Sequence, residues 1–282
     1  MLLAMDGLLK QAQLERRAIG SFNVYNGETI RGAVQAAGKT KLPMIISFGA
    51  GYLRNMDLEE VVYLVHRLTA GEGQFVLHLD HCRDLEVIRH AIEAGFTSVM
   101  YDGSALAYEE NVAHTKEVCA MAKAAGVSVE AELGSLALGA HSAEGELGDA
   151  LAYTDSQRAA SFAEETGVTA LAVSIGTVHG LYQGTPKIRV DLLQQIRSLV
   201  DTPLVLHGGS GTPKEQLKAC IQNGITKINV NTEISETVMA KTLEALEADP
   251  HLHFSRLSLL QAEWTAEVIE GYQQFFWDQK TL

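Results

Sequence analysis

Positive charge is scarce in this chain: 22 lysines and arginines stand against 35 aspartates and glutamates, a formal net charge of −13. A surface built for nucleic acid or an anionic membrane rewards clustered cations, so neither is expected as a partner. A phosphate pocket made from backbone N–H groups needs no such cations and stays open as a possibility. Cysteine is scarce too. Cys82, Cys119 and Cys220 are an odd number at wide spacing, which fits neither a disulfide framework nor a zinc ribbon and points to a reducing compartment. No apolar run reaches the roughly 20 residues that a membrane span needs. The apolar start Met1-Leu2-Leu3-Ala4-Met5 is broken by Asp6 and followed by Lys10, Glu15, Arg16 and Arg17, which is no signal-peptide core. The expected location is the cytoplasm. Repeats, low-complexity tracts and an interdomain linker are also missing, and 282 residues with 46% hydrophobic content suffice for one large core.

What the chain does have is alternation. Short β-type runs lie at Ser21–Tyr25, Met44–Phe48, Phe75–Leu79, Ser98–Tyr101, Val127–Ala131, Ala170–Ile175, Leu204–Leu206 and Ile228–Val230, each bounded by Gly, Pro, Asp or Asn. Between them apolar residues recur at helical spacing, as in Leu58, Val61, Val62, Val65 and Leu68, or Leu192, Leu193, Ile196 and Leu199. Eight strand–helix alternations predict an α/β fold, a (β/α)8 or TIM barrel spanning residues 1–282 with a C-terminal helical tail; an open doubly wound sheet is the alternative. Polar residues stand at nearly every strand end: Asn23, Ser47, Asp80 with His81, Asp102, Glu132, His179, His207 and Asn229–Thr232. In a barrel those ends converge on one mouth. The segment 134–152, rich in Gly, Ala and Ser and carrying Glu144, Glu146 and Asp149, reads as a mobile loop over it.

Three constellations could carry chemistry. In His78-Leu79-Asp80-His81, His78 and Asp80 share one face of a strand and His81 begins the turn. Joined by His179 and His207 from two other strand ends, it could supply three imidazoles to a zinc ion with an open position, or the histidines could be separately hydrogen-bonded. His66, His90, His114, His251 and His253 read as surface or packing residues. Gly208-Gly209-Ser210-Gly211-Thr212-Pro213 follows a strand and precedes a helix, where backbone N–H groups and the helix dipole favour an anion; an ordinary turn capped by Thr212 is the alternative. Asn229-Val230-Asn231-Thr232 would form the second half of a barrel phosphate site. Glu130 and Glu132 share a face of the fifth strand, which calls for a metal, a hydrogen-bond network, or a Lys or Arg partner. Lys227, on a face with Asn229, leaves a Schiff base conceivable, but that would not explain the histidines.

From about Gly20 to about Glu236 the sequence resembles the class II, metal-dependent fructose-bisphosphate and tagatose-bisphosphate aldolases. The resemblance is carried by Phe22-Asn23-Val24, His78-Leu79-Asp80-His81, Asp102-Gly103-Ser104, Val129 to Gly134, Ile175 to Gly180, Pro203 to Ser210 and Lys227 to Thr232. It implies that His81, His179 and His207 hold a catalytic Zn2+, and that Asp80 is the acid/base that takes the C4 hydroxyl proton while the C3–C4 bond of a ketose phosphate breaks. It implies that Gly180, Gly208, Gly209, Ser210, Asn229, Val230, Asn231 and Thr232 bind the dihydroxyacetone phosphate half, with Asn23 and Ser47 as further substrate contacts. Asp102 and Glu132 match a second or resting metal site, and a monovalent cation, Na+ or K+, is a further candidate cofactor. The implied partner is a small sugar phosphate, and the implied assembly is a homodimer or homotetramer.

Two stretches depart from the family pattern. The loop after the fifth strand reads Leu136 to Glu144 where the family has a Gly-Gly-x-Glu-Asp stretch, so Glu144 is the expected loop acid/base, with Glu146 and His141 behind it. The distal-phosphate region reads Phe48-Gly49-Ala50-Gly51, and the terminal helix carries Glu267 and Glu270 where basic residues are expected. An acidic tail repels a phosphate, which favours a ketose 1-phosphate, although Arg54 could restore a cation for a 1,6-bisphosphate. A metal-dependent hydrolase on the same barrel and a non-catalytic sugar-phosphate-binding barrel are the competing readings.

Overall fold

In the computed structural model, residues 2–70, 73–142, 152–180, 182 and 186–278 are described. In chain order, α1 (Met5–Glu15) leads into β1 (Ile19–Asn23), α2 (Gly27–Thr40), β2 (Met44–Gly49), α3 (Leu58–Leu68), β3 (Phe75–Cys82), α4 (Leu85–Ala94), β4 (Ser98–Tyr101), α5 (Tyr108–Ala125) and β5 (Ser128–Leu133). Then come β6 (Ala137–Leu138), α6 (Ser156–Thr166), β7 (Ala170–Val173), β8 (Val178–His179), α7 (Val190–Leu199), β9 (Leu204–Leu206), α8 (Lys214–Gln222), β10 (Ile225–Val230), α9 (Thr232–Ala248) and α10 (Phe254–Trp277). The eight longer strands pair in parallel and close in the order β1-β10-β9-β7-β5-β4-β3-β2, which excludes the open sheet. No helix among the described residues is long and apolar enough to cross a membrane.

Four helices on the barrel's outside begin where short polar side chains satisfy their first N–H groups. Asn26 and Thr29 form a reciprocal capping box on α2, Asp57 and Glu60 do the same on α3, and Asp84 and Asp155 cap α4 and α6. The α3 stripe turns Leu58, Val61 and Val65 into the core; on α7, Leu193 and Ile196 are buried while Leu199 faces out. These faces cover the outside of the barrel. Inside, period-2 alternation stacks the inward residues in layers. The floor is apolar: Met5, Leu9 and Ala12 of α1 pack on Ile19, Ile45, Val76, Ala170, Ala172 and Val205. Above it lies a polar layer containing Ser21, Ser47, His78, Glu130 and Lys227, all buried, and above that comes the mouth.

One feature is local to the mouth. β6 pairs in parallel with β8, and Gly139 N–H donates to the His179 carbonyl oxygen at 2.6 Å, so the described start of the expected mobile loop is laddered to the strand that carries His179. Glu144 and Glu146 lie outside the described residues. The acids of α10 are also paired: Glu270 with Lys39 of α2 at 2.7 Å, and Glu267 with Lys241 of α9. Their charge is therefore locally compensated, which removes the repulsion that the sequence of this helix suggested.

Candidate active site

His81 enters the mouth against its strand's alternation. Next to Asp80, an ordinary strand would point it outward. The β3–β4 pairing shifts by one residue between Leu79 and Cys82, and His81 takes a left-handed backbone, φ 47°. This bulge aims both Asp80 and His81 at the same space. The imidazole rings of His81 and His207 are 4.5 Å apart between centroids, those of His81 and His179 are 4.8 Å apart, and those of His179 and His207 are 6.0 Å apart.

The ring nitrogens can be assigned from their partners. His207 Nε2 is 2.8 Å from Glu130 Oε1, and because a carboxylate only accepts, that nitrogen carries the hydrogen. Its Nδ1 lone pair then faces His81 Nε2 at 3.0 Å. His81 Nδ1 in turn faces Asp102 at 3.4 Å and Glu132 at 4.0 Å. With one hydrogen on a neutral His81 ring, one acceptor is always left facing another acceptor. Burial pushes His179 and His207 below the usual histidine range, so both offer lone pairs. His179 Nε2 is buried with no hydrogen-bond partner among the described residues. Burial, and then the charge of Asp102, raise Glu132 to about 8. A cation relieves all of these conflicts together. The donor atoms of His81, His179 and His207 lie within 4.8 Å of one another, as do those of His81, Asp102 and Glu132, so the two candidate sets share His81.

The surrounding residues hold these donors in place. Asp102 accepts from Ser104 Oγ at 2.6 Å and from Arg83 at 3.3 Å; burial opposes its ionisation, but these bonds and His81 hold its carboxyl well below the usual range. Asn111 donates to the carbonyl of Glu132 at 3.0 Å. Lys227 Nζ sits 2.8 Å from Glu130 Oε2 and donates to Asn229 Oδ1 at 2.7 Å, which makes it a buried counter-ion in place of a Schiff-base amine. Burial would raise Glu130, but Lys227 overrides it and holds the carboxyl at about 2. The two glutamates of β5 thus divide: Glu130 orients an imidazole, and Glu132 faces the metal candidates.

Asp80 lies fully buried beside the imidazoles. Asn23 Nδ2 donates to its Oδ2 at 3.0 Å and Asn229 Nδ2 reaches its two oxygens at 3.2 and 3.3 Å. Burial works against its charge, yet His81, Lys227 and His207 together keep the carboxyl well below the usual range. Asn229, expected among the phosphate contacts, turns its side chain to Asp80 and Lys227. Ser47 lies in the polar layer below, paired in register with His78. His78 Nδ1 bonds Ser98 Oγ at 2.8 Å; burial, helped by Lys227, lowers it to about 4.

The glycine loop after β9 and the start of α9 meet as expected. Gly208 has φ 75°, and a Cβ there would fall 2.2 Å from the Val178 carbonyl oxygen, so the loop packs directly against β8. Ser210 Oγ accepts from the backbone N–H groups of Asn231 and Glu233, both at 3.2 Å, knitting the loop to the N-terminus of α9 beside Val230 and Thr232. Gly180 lies against Ala140 and Ser142. Glu233 Oε2, which the sequence did not single out, accepts from Gly211 N–H at 3.0 Å and from the Tyr272 hydroxyl at 2.5 Å. His141 is bonded to Glu236 at 2.9 Å. Of the histidines read as peripheral, His90 bonds Glu59 at 2.5 Å and His114 bonds the Tyr101 hydroxyl at 2.7 Å. The three cysteines are free thiols.

The family model described as Fructose-bisphosphate aldolase class-II matches residues 3–277. A fructose-bisphosphate aldolase of Geobacillus stearothermophilus is 38% identical over 259 residues, covering 90% of this chain and 89% of its own. A sulfofructosephosphate aldolase of Alkalicoccus urumqiensis is 37% identical over 245 residues, covering 86% and 85%. The crystal structure of the YdjI aldolase from Escherichia coli K12 superposes with a TM-score of 0.87 at 33% identity, covering 98% of this chain and 97% of that one. The chain belongs to the class II fructose-bisphosphate aldolase family and is a lyase.

Proposed function

We propose that this chain catalyses the reversible, zinc-dependent cleavage of a ketose 1-phosphate or ketose 1,6-bisphosphate to dihydroxyacetone phosphate and an aldehyde. The observation that carries the reading is the convergence of His81, His179 and His207 beside a buried, anionic Asp80, at the mouth that the glycine loop also lines. His81, His179 and His207 would hold the zinc, with Asp102 and Glu132 as a second or resting set. When bound, the metal supplies Lewis acidity toward the substrate carbonyl.

The protein's own groups do the rest. Amides of Gly208 and Ser210 and the N-terminus of α9 receive the phosphate of the dihydroxyacetone half, with Gly180 closing the cradle; the Gly209 N–H, expected among these donors, is instead bonded to the Asn229 carbonyl at 2.9 Å and fixes the loop on β10. Asp80, oriented by Asn23 and Asn229, takes the proton of the C4 hydroxyl; the C4–O bond becomes a carbonyl as the C3–C4 pair withdraws to C3. A proton returned to C3 then completes dihydroxyacetone phosphate, and Glu144 on the loop after β5 is the group assigned to deliver it. Addition runs the same transfers backwards.

Release of dihydroxyacetone phosphate from a panel of ketose 1-phosphates and 1,6-bisphosphates, with and without a chelator, tests this. Release that stops with the chelator and returns with Zn2+ is expected. Release indifferent to the chelator, or cleavage of phosphate esters in place of carbon–carbon bonds, overturns it.

A further inference from the structure

We propose that Tyr25, Tyr52 and Asn231 form the subsite for the aldehyde half of the substrate, and that this half is an uncharged polyhydroxyl end, so that the substrate is a ketose 1-phosphate. The inference rests on the aldolase reading above. Tyr25 follows β1, Tyr52 closes the short turn Ala50–Tyr52 after β2, and Asn231 follows β10. The two phenol rings meet edge to face with centroids 5.0 Å apart. The Tyr25 hydroxyl donates to Asn231 Oδ1 at 2.5 Å, and Asn231 Nδ2 donates to the Tyr52 hydroxyl at 3.0 Å. One chain of neutral hydrogen-bonding groups therefore joins three separate strand ends.

Its position follows from Asp80. Gly49 pairs in register with Asp80, and a Cβ added to Gly49 would lie 3.1 Å from the Tyr52 ring and 3.8 Å from Asn23 Nδ2, the group that donates to Asp80. The Tyr52 ring thus packs on the glycine beside the acid/base. The candidate metal donors come from the ends of β3, β4, β5, β8 and β9, and the phosphate cradle from the loops after β9 and β10. A carbon chain that runs from the cradle past the imidazoles to Asp80 has the β1–β2 side left for its remaining carbons.

The chemistry of that side selects against a second phosphate. Substrate hydroxyls can exchange hydrogen bonds with water for bonds to phenols and a carboxamide at little cost, whereas a phosphate dianion placed there loses hydration and gains no charge from these three groups. The three groups that line this side, two phenols and a carboxamide, carry no formal charge, and the nearest acid in sequence, Glu233, turns its carboxylate away to Gly211 and Tyr272. Arg54, two residues beyond Tyr52, is exposed. Because Glu267 and Glu270 are paired with lysines, the selectivity comes from this neutral wall and not from the acidity of the terminal helix.

The test compares kcat/KM of the zinc-loaded enzyme for ketohexose 1-phosphates and the corresponding 1,6-bisphosphates. A monophosphate preference of roughly tenfold or more is expected, and Tyr52→Phe, which deletes one hydroxyl, should narrow the ratio roughly three- to tenfold. Tyr25→Phe should narrow it as well, and either variant alone suffices if the other folds poorly. A bisphosphate preference, a ratio untouched by both variants, or bisphosphate cleavage that disappears in Arg54→Ala overturns the proposal. Exchange of a hydroxymethyl hydrogen of dihydroxyacetone phosphate with solvent, followed on the unaltered enzyme, reports on the dihydroxyacetone half alone. Exchange without monophosphate cleavage refutes this subsite while keeping the aldolase reading; loss of both refutes the reading beneath it.

Discussion

The two ends of the barrel obey opposite rules. At the floor, Met5, Leu9 and Ala12 of α1 meet Ile19, Ile45, Val76 and Val205 in a purely apolar contact, and each buried side chain there stabilises the fold. At the mouth, buried imidazoles and carboxylates face one another with lone pairs opposed, an arrangement that costs stability until a cation is present. The middle layer joins the two through the Glu130–Lys227 pair. A barrel of this kind separates the residues that keep it folded from those that make it useful.

That separation can be broken from either side. The largest effect is expected at the mouth: Asp80→Ala should lower the cleavage rate by roughly three orders of magnitude while zinc content and the unfolding midpoint stay near those of the parent. Steady-state kinetics with metal analysis checks this, and a near-parent rate excludes Asp80 as the acid/base. At the floor, Leu9→Ala should do the reverse. It should cost about 2–5 kcal/mol of stability, read from urea unfolding, with little change in kcat for the protein that remains folded; a large loss of kcat would mean that the ends are coupled.

The middle layer gives the most pH-dependent effect. His78 is held neutral down to about 4 against an ordinary 6.5, so between those values the unfolded chain binds the proton and the folded one does not. Stability from this layer is therefore present above pH 6.5 and lost as pH falls toward 4, by an amount on the order of 3 kcal/mol. The urea midpoint should fall across that window, and His78→Gln should flatten the slope; an unchanged slope assigns the acid sensitivity to another group.

The strand ends were legible because alternation and punctuation are local signals, and Asp80, His81, His179 and His207 could be placed from them. The inward aim of His81 was not legible, since it depends on a bulge that the period-2 pattern does not announce. Glu130 and Glu132 looked alike in sequence; the approach of Lys227 from β10 and of His207 from the end of β9 tells them apart. The acids of α10 misled for the same reason, because Lys39 and Lys241 are far away along the chain. Arg83 on Asp102 and Asn111 on Glu132 are supports of this kind too. One missed element did carry a local signal: Met5, Leu9 and Ala12 fall at helical spacing and mark α1 as a buried helix.

With α1 packed on the apolar floor, the Lys227 ammonium and the His78 ring lie buried between that floor and the mouth where the substrate sits. A seated substrate is then also a stopper, and the time a proton on Lys227 takes to exchange becomes a clock for how long the ligand stays.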